Sequence, residues 1–228
     1  ALGLRSGNAV ILRGGSEAVH SNRAIHAAMV EGIVKAGLPA DAVQLVPTQD
    51  RAAVGALLKA QGQIDMVIPR GGKSLVARVQ DEARVPVLAH LDGICHTYIH
   101  AKADPAMAEA IAVNAKMRRT GICGSTETLL IDQDYPEPAR LIGALLDAGC
   151  EVRADDTLME LDARTVPAEE ADWGTEYLDS IVSAKMVSGV DEAIEHIARY
   201  GSQHTESIIT NDEAAAADFL SGVDSAIV

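Results

Sequence analysis

Aromatic side chains are nearly missing from this sequence: one Trp, one Phe and four Tyr in 228 residues. Packing falls to Ala, Val, Ile and Leu, and a 48% apolar fraction supplies them in quantity. Basic residues are also few. Nineteen Lys and Arg stand against 33 Asp and Glu, a formal charge of −14. That balance argues against the broad cationic face that a phosphate backbone needs, so no nucleic-acid partner is expected. No apolar run approaches the ~20 residues that span a bilayer. No basic-then-apolar stretch opens the chain, so nothing in these residues indicates secretion. Cysteine is scarce and odd in number, with Cys95, Cys123 and Cys150 and no CxxC. The expectation is reduced thiols in a cytosolic, cytoplasmic protein.

The chain begins at Ala1 rather than Met and stops within the apolar run Ala226-Ile227-Val228. A domain seldom ends inside a buried strand, so a fragment is expected.

What is abundant is alternation. Short β-branched runs at Asn8–Leu12, Val43–Val46, Asp65–Ile68 and Val85–Leu88 predict strands. Helical patterns fall between them at Ser16–Ala36, Asp50–Ala60 and Gly72–Glu82. Ser16 reads as an N-cap and Gly37 as a helix stop. After His90-Leu91-Asp92-Gly93 the pattern restarts. Strands are predicted at Ile94–His100, Glu127–Ile131, Glu151–Arg153, Leu178–Val187 and Ser207–Thr210. Helices are predicted at Asp104–Met117, Pro138–Ala148, Val190–Tyr200 and Asn211–Leu220. Asp104 with Pro105 marks a helix start, and Glu169–Trp173 reads as a polar break. Strand–helix alternation at this spacing predicts an α/β fold with a parallel sheet. A boundary near Asp92 divides the chain into residues 1–92 and 93–228.

One internal echo carries chemistry. Val10-Ile11-Leu12-Arg13-Gly14-Gly15 matches Val67-Ile68-Pro69-Arg70-Gly71-Gly72 in pattern. Each is a strand ending in Arg-Gly-Gly and entering a helix. Glycine lets backbone approach a ligand, the helix N-terminus attracts anions, and Arg adds a planar cationic fork. Both readings of these turns stay open: phosphate or nucleotide binding, and turn geometry alone.

Cys123 lies in a glycine-flanked turn between a helix and a strand. Lys116, Arg118 and Arg119 precede it, and cations favour a thiolate. The glycines leave room for a substrate and expose N–H groups to an oxyanion. A nucleophile and a buried structural cysteine are both compatible with that pattern. Cys95, inside an apolar strand, and Cys150, at a strand start, read as packing residues. His90, His96 and His100 have no companion Cys or carboxylate at metal-ligand spacing, so no metal is expected. His20 and His26 lie on a helix and read as solvated or half-buried. Asp155-Asp156 and Glu169-Glu170-Ala171-Asp172 read as solvated surface.

Three stretches together resemble the glutamate-5-semialdehyde dehydrogenase family, a branch of the aldehyde dehydrogenase superfamily. The first is Ile68-Pro69-Arg70-Gly71-Gly72-Lys73 continuing to His90-Leu91-Asp92-Gly93-Ile94-Cys95-His96. The second is Asn114 to Cys123 with Glu127-Thr128-Leu129-Leu130. The third is Asp172-Trp173-Gly174-Thr175-Glu176-Tyr177-Leu178, continuing to Asp191–Ile197 and Arg199-Tyr200-Gly201-Ser202. The resemblance implies an aldehyde dehydrogenase-like fold, with part of a Rossmann-like NADPH-binding domain in 1–92 and a catalytic thiol domain in 93–228. It implies NADPH-dependent reduction of gamma-glutamyl phosphate through a thioester on Cys123, in proline biosynthesis. It implies cofactor contacts at Arg13, Gly14, Gly15 and Ser16, at Arg70, Gly71 and Gly72, and at Glu176. Substrate contacts fall on Asn114 and Arg119. A homo-oligomer at full length and glutamate 5-kinase as a partner are further implications.

Two departures bear on the chemistry. Hydrolytic aldehyde dehydrogenases carry a Glu where this chain has His90-Leu91-Asp92-Gly93, and that Glu activates water. Its absence suits an enzyme whose acyl partner is phosphate. Gly124 stands where the family often has Asn. The family's chains also extend beyond both ends of this one, which keeps open a non-catalytic fragment or nucleotide-binding module of the same fold. A coenzyme A-acylating aldehyde dehydrogenase shares the thioester logic but needs a coenzyme A site, and none is identifiable in these residues.

Overall fold

The computed structural model describes residues 2–89 and 92–228. Readings that rest on Ala1, His90 or Leu91 lie outside the described residues. The chain divides into two units, Ala1–Ala89 and His90–Val228.

The first unit opens with the short helix α1 (Leu2–Arg5) and strand β1 (Val10–Leu12). Helix α2 (Val19–Lys35) leads to β2 (Val43–Leu45), which pairs parallel with β1. Gly37, at φ +81°, ends α2: its N–H donates to Val34 O and that of Leu38 to Ile33 O. This is a left-handed stop that a Cβ would strain. Ser16 does not cap the helix. Ala18 holds the N-cap of α2 without a side-chain bond, and Ser16 instead opens a 3-10 turn whose own cap position is Gly15. Helices α3 (Ala52–Leu58) and α4 (Lys73–Glu82) follow. The strands expected at Asp65–Ile68 and Val85–Leu88 shrink to one bridge, Val67 with Val87. Pro69 and Pro86 carry no N–H for a longer ladder. Val43, Leu58, Val76, Val79 and Val85 form the buried interior of this unit.

The second unit is built on a six-stranded, wholly parallel sheet. In chain order its elements are β3 (Cys95–Ile99), α5 (Pro105–Met117), β4 (Thr126–Asp132), α6 (Pro138–Asp147), β5 (Glu151–Ala154), α7 (Asp156–Met159), β6 (Val166–Pro167), β7 (Ile181–Val187), α8 (Gly189–Tyr200), β8 (Glu206–Ile209) and α9 (Glu213–Gly222). The strand order is β6-β5-β7-β4-β3-β8. Every residue of β3 and β4 is buried, as expected where helices cover both faces of a parallel sheet. Alternation sorts the side chains. Leu129 and Ile131 join Ala108, Ala112, Leu141, Ile142 and Leu145 on one face. Leu130 and Tyr98 join Ala193, Ile197, Phe219 and Val223 on the other. Asp104 caps α5 by accepting from the Met107 N–H, with Pro105 in the first turn.

Three details differ from the sequence reading. Glu169–Trp173 is ordered as a 3-10 helix, Glu170–Gly174, closed by a reciprocal capping box. Its Asp172 is buried rather than solvated, because it accepts from Arg153 and from the Tyr177 hydroxyl. Ile227 makes a single parallel bridge with Thr205 and stays exposed, so the terminal apolar run is not a buried strand in this chain.

Candidate active site

The site gathers at the N-terminal ends of the central strands. Gly93 precedes β3, Cys123 precedes β4, Glu176 precedes β7, and Ser202 and His204 precede β8. Open α/β sheets usually hold ligands at the opposite, C-terminal ends. Here the loops that enter the four adjacent strands β7-β4-β3-β8 carry the polar groups.

Cys123 is half-buried, whereas Cys95 and Cys150 are buried. The turn that presents it is braced at two points. The Ser125 N–H donates to Ile122 O at 3.0 Å, and Ser125 Oγ donates to the carbonyls of Ala115 and Lys116 at 3.3 Å each. Gly93 packs directly against it. A methyl at Gly93 would overlap the Cys123 carbonyl oxygen and lie 2.9 Å from its Cα. Only a residue without Cβ permits that approach. The Gly93 N–H donates to Glu176 Oε1 at 2.9 Å, which links Glu176 to the thiol turn through one residue. The neighbouring Ile94 N–H donates to Ser202 Oγ at 2.8 Å.

Cys95 lies beneath the turn. Its Sγ donates to the Cys123 carbonyl at 3.1 Å and lies 3.7 Å from His204 Nδ1. Burial first, then the Glu206 carboxylate, pushes the Cys95 thiol up to about 12. Burial pushes Cys150 up to about 11. Both are packing residues held as thiols. His96 is wholly buried, with Nδ1 2.9 Å from Glu206 Oε2, and His100 Nδ1 is 2.7 Å from Thr210 Oγ1.

Lys116 is not available to Cys123. Its ammonium is fully enclosed and pairs with Glu127 at 2.6 Å. Arg118 and Arg119 remain exposed at the end of α5 and in the thiol turn. Asn114 lines an open groove of about 570 Å³ between α5 and α6. None of the other groove residues belongs to the Cys123 turn.

In the first unit, Arg13 Nη2 donates to the Gln49 carbonyl at 3.1 Å. Its Nε is buried with no hydrogen-bond partner among the described residues. Arg13 and Gly14 line a cavity of about 190 Å³ with Leu12, Asn22, Ile25, His26, Met29 and Leu45. The Gly15 and Ser16 backbone opens the 3-10 turn before α2. Gly72 holds the N-cap of α4, Gly71 precedes it, and Arg70 is exposed.

Sequence reasoning passed over Gly93, Ser202, His204 and Glu127 as site residues. Each lies just before or at the start of a strand, and position relative to those strands was the signal that could have found them.

Fold and site together define an α/β protein with one half-buried thiol at the strand-entry edge of a parallel sheet. Residues 1–160 match the aldehyde dehydrogenase family, and the chain belongs to that family. It is 67% identical over all 228 residues to the gamma-glutamyl phosphate reductase of Rhizorhabdus wittichii, covering 53% of that protein. It is 68% identical to the gamma-glutamyl phosphate reductase of Sphingopyxis alaskensis, again over all of this chain and 53% of the relative. The crystal structure of gamma-glutamyl phosphate reductase from Thermotoga maritima superposes with a TM-score of 0.90 at 40% identity, over 100% of this chain and 55% of that one. The chain thus spans about half the length of the curated relatives it matches. Among the described residues, no helix is long and apolar enough to cross a membrane.

Proposed function

We propose that this chain is part of a gamma-glutamyl phosphate reductase of proline biosynthesis, with Cys123 as nucleophile and NADPH as cofactor. The observation that carries the reading is the half-buried Cys123, packed on Gly93, whose amide Glu176 holds. The high identity to reductases across the whole chain supports the substrate class.

In this reading the Cys123 thiolate attacks the acyl carbon of gamma-glutamyl phosphate. A C–S bond forms, and the C–O bond to phosphorus breaks with its electron pair leaving on phosphate. Arg119 supplies a cation to the acyl phosphate. When bound, NADPH would supply a hydride to the thioester carbon. Collapse of the C–S bond would then release the aldehyde and return the Cys123 thiolate. Glu176 would hold the cofactor ribose, and its bond to the Gly93 N–H steadies the loop beside Cys123. The unpartnered Arg13 Nε beside the 190 Å³ cavity fits a polar ligand group, and its charge suits a ribose phosphate. Gly14, Gly15 and Ser16, and the Arg70-Gly71-Gly72 turn, would bring backbone to the cofactor. Residues 1–92 then belong to the cofactor domain and 93–228 to the thiol domain.

The test uses the longer protein that contains this chain. Cys123→Ser should abolish NADPH-dependent reduction in the acyl phosphate direction while NADPH binding persists. Turnover by the Ser variant at the parent rate would overturn the reading.

A further inference from the structure

The thiol site leaves one buried charged pair unexplained. Lys116 and Glu127 are both fully enclosed, with Nζ and Oε2 2.6 Å apart. Taking two charges out of water is expensive, and an apolar pair of similar volume is often as stable or more so. Stability alone is a poor reason for this pair.

Its location is specific. Lys116 lies in the last turn of α5 and Glu127 is the second residue of β4. The segment between them is the turn that carries Cys123, so the ion pair closes the base of that turn. The other carboxylate oxygen reaches a different segment. Glu127 Oε1 accepts from the Leu178 N–H at 3.4 Å and faces the Tyr177 N–H. Lys116 Nζ stands 5.9 Å from the centre of the Tyr177 ring. Those two residues directly follow Glu176, and Leu178 sits at φ +54°, a conformation a residue of its size seldom adopts unaided. A single carboxylate therefore grips both the neck of the thiol turn and the turn that presents Glu176. Glu176 in turn holds the Gly93 amide, and Gly93 abuts the Cys123 backbone.

We propose that Lys116 and Glu127 are positioning residues that fix the Cys123 turn and the Glu176 turn in one mutual geometry. The role goes beyond the proposed function but rests on its assignment of Cys123 and Glu176. The pair touches neither substrate nor cofactor. It acts by setting where the sulfur and the Glu176 carboxylate stand.

The experiment uses the longer protein with Lys116→Met, Glu127→Gln and the double variant Lys116→Met/Glu127→Leu. The single Lys116 change strands a buried carboxylate and can fail to fold. The double change removes both charges and supplies the folded comparison. For the double variant, kcat should fall by about 100-fold with KM for the acyl phosphate unchanged, as expected when geometry rather than binding is lost. The pH–rate profile of Cys123 alkylation by iodoacetamide should move. Hydrogen-exchange protection should drop at the Gly93 and Leu178 amides and persist at Ile197 in α8. A double variant with the parent's kcat, alkylation profile and protection would overturn the proposal and leave the pair purely structural. Failure of the Cys123 assignment looks different: the parent itself would keep turnover after Cys123→Ser, and exchange at Gly93 and Leu178 would still decide the positioning role.

Discussion

Replacing Gly93 with Ala is the sharpest test of the site's packing. The added methyl overlaps the Cys123 carbonyl oxygen and sits 2.9 Å from both the carbonyl carbon and Cα of that residue. All three atoms are backbone, so no rotamer change relieves the clash. Either the loop before β3 retreats, weakening the Gly93–Glu176 bond, or the Cys123 turn moves. Overpacking of this kind costs ~1–3 kcal/mol. Taking ~2 kcal/mol, and a urea slope of about 2 kcal/mol/M for a domain of this size, the unfolding midpoint should drop by about 1 M. The single Trp, Trp173, is buried in the same unit against His196, so its fluorescence reports on this unit alone. Gly124→Ala is the matched control. A methyl there meets nothing within 4 Å, and its effect should stay within about 0.5 kcal/mol. Alkylation of Cys123 should change with Gly93→Ala and hold with Gly124→Ala. If Gly93→Ala leaves both the urea midpoint and the Cys123 labelling rate at parent values, the close approach is not real and the coupling to Glu176 fails with it.

Iodoacetamide at pH 8 should label Cys123 well ahead of Cys95 and Cys150. With Cys95 pushed to about 12, its thiolate is about one part in ten thousand at that pH. Equal labelling of all three, read by peptide mapping of folded protein, would contradict this ordering. Burial first, and the neighbouring His96 next, lower His196 to about 3. Its ring is packed against Trp173 and Tyr200. In the unfolded chain it takes a proton near its ordinary value of 6.5, so the unfolded state binds more protons between about pH 6.5 and 3. Its stabilising contribution is present above that window and is lost as pH falls through it. The urea midpoint should therefore fall between pH 7 and pH 5, and fall less in His196→Phe. An equal loss in both proteins would refute the assignment.

The long elements of the second unit were legible because local signals agreed there. The apolar runs of β3, β4 and β7 and the Asp104-Pro105 start of α5 needed no tertiary knowledge. The Cys123 turn was legible from its glycines. In the first unit the β-branched runs alone point to longer strands, whereas Pro69 and Pro86 withhold the N–H groups a longer ladder needs. Asp172 was read as surface because three acidic residues cluster in four positions, and its Arg153 and Tyr177 partners were not evident from sequence. Lys116 was read as activating a thiolate from proximity in the chain. Its actual partner, eleven residues on, depends on how α5 packs beside β4. Gly93 was visible only as part of a motif, since its approach to Cys123 joins positions thirty residues apart.

The strand-entry location of the site has a consequence for how the chain folds. Its parts arrive from four separate stretches, and β8 pairs with β3 across 110 residues, His96 against Glu206. Contacts of that sequence separation close late, because the entropy of a long loop must be met before the pairing returns anything. The α5–β4 connection is local, so the Cys123 turn is expected to form before Ser202 and His204 reach their places beside β3. On that order, pulsed labelling of Cys123 during refolding should reach its native rate only as β8 docks, after the helix signal. A native labelling rate from the first moments of refolding would refute it.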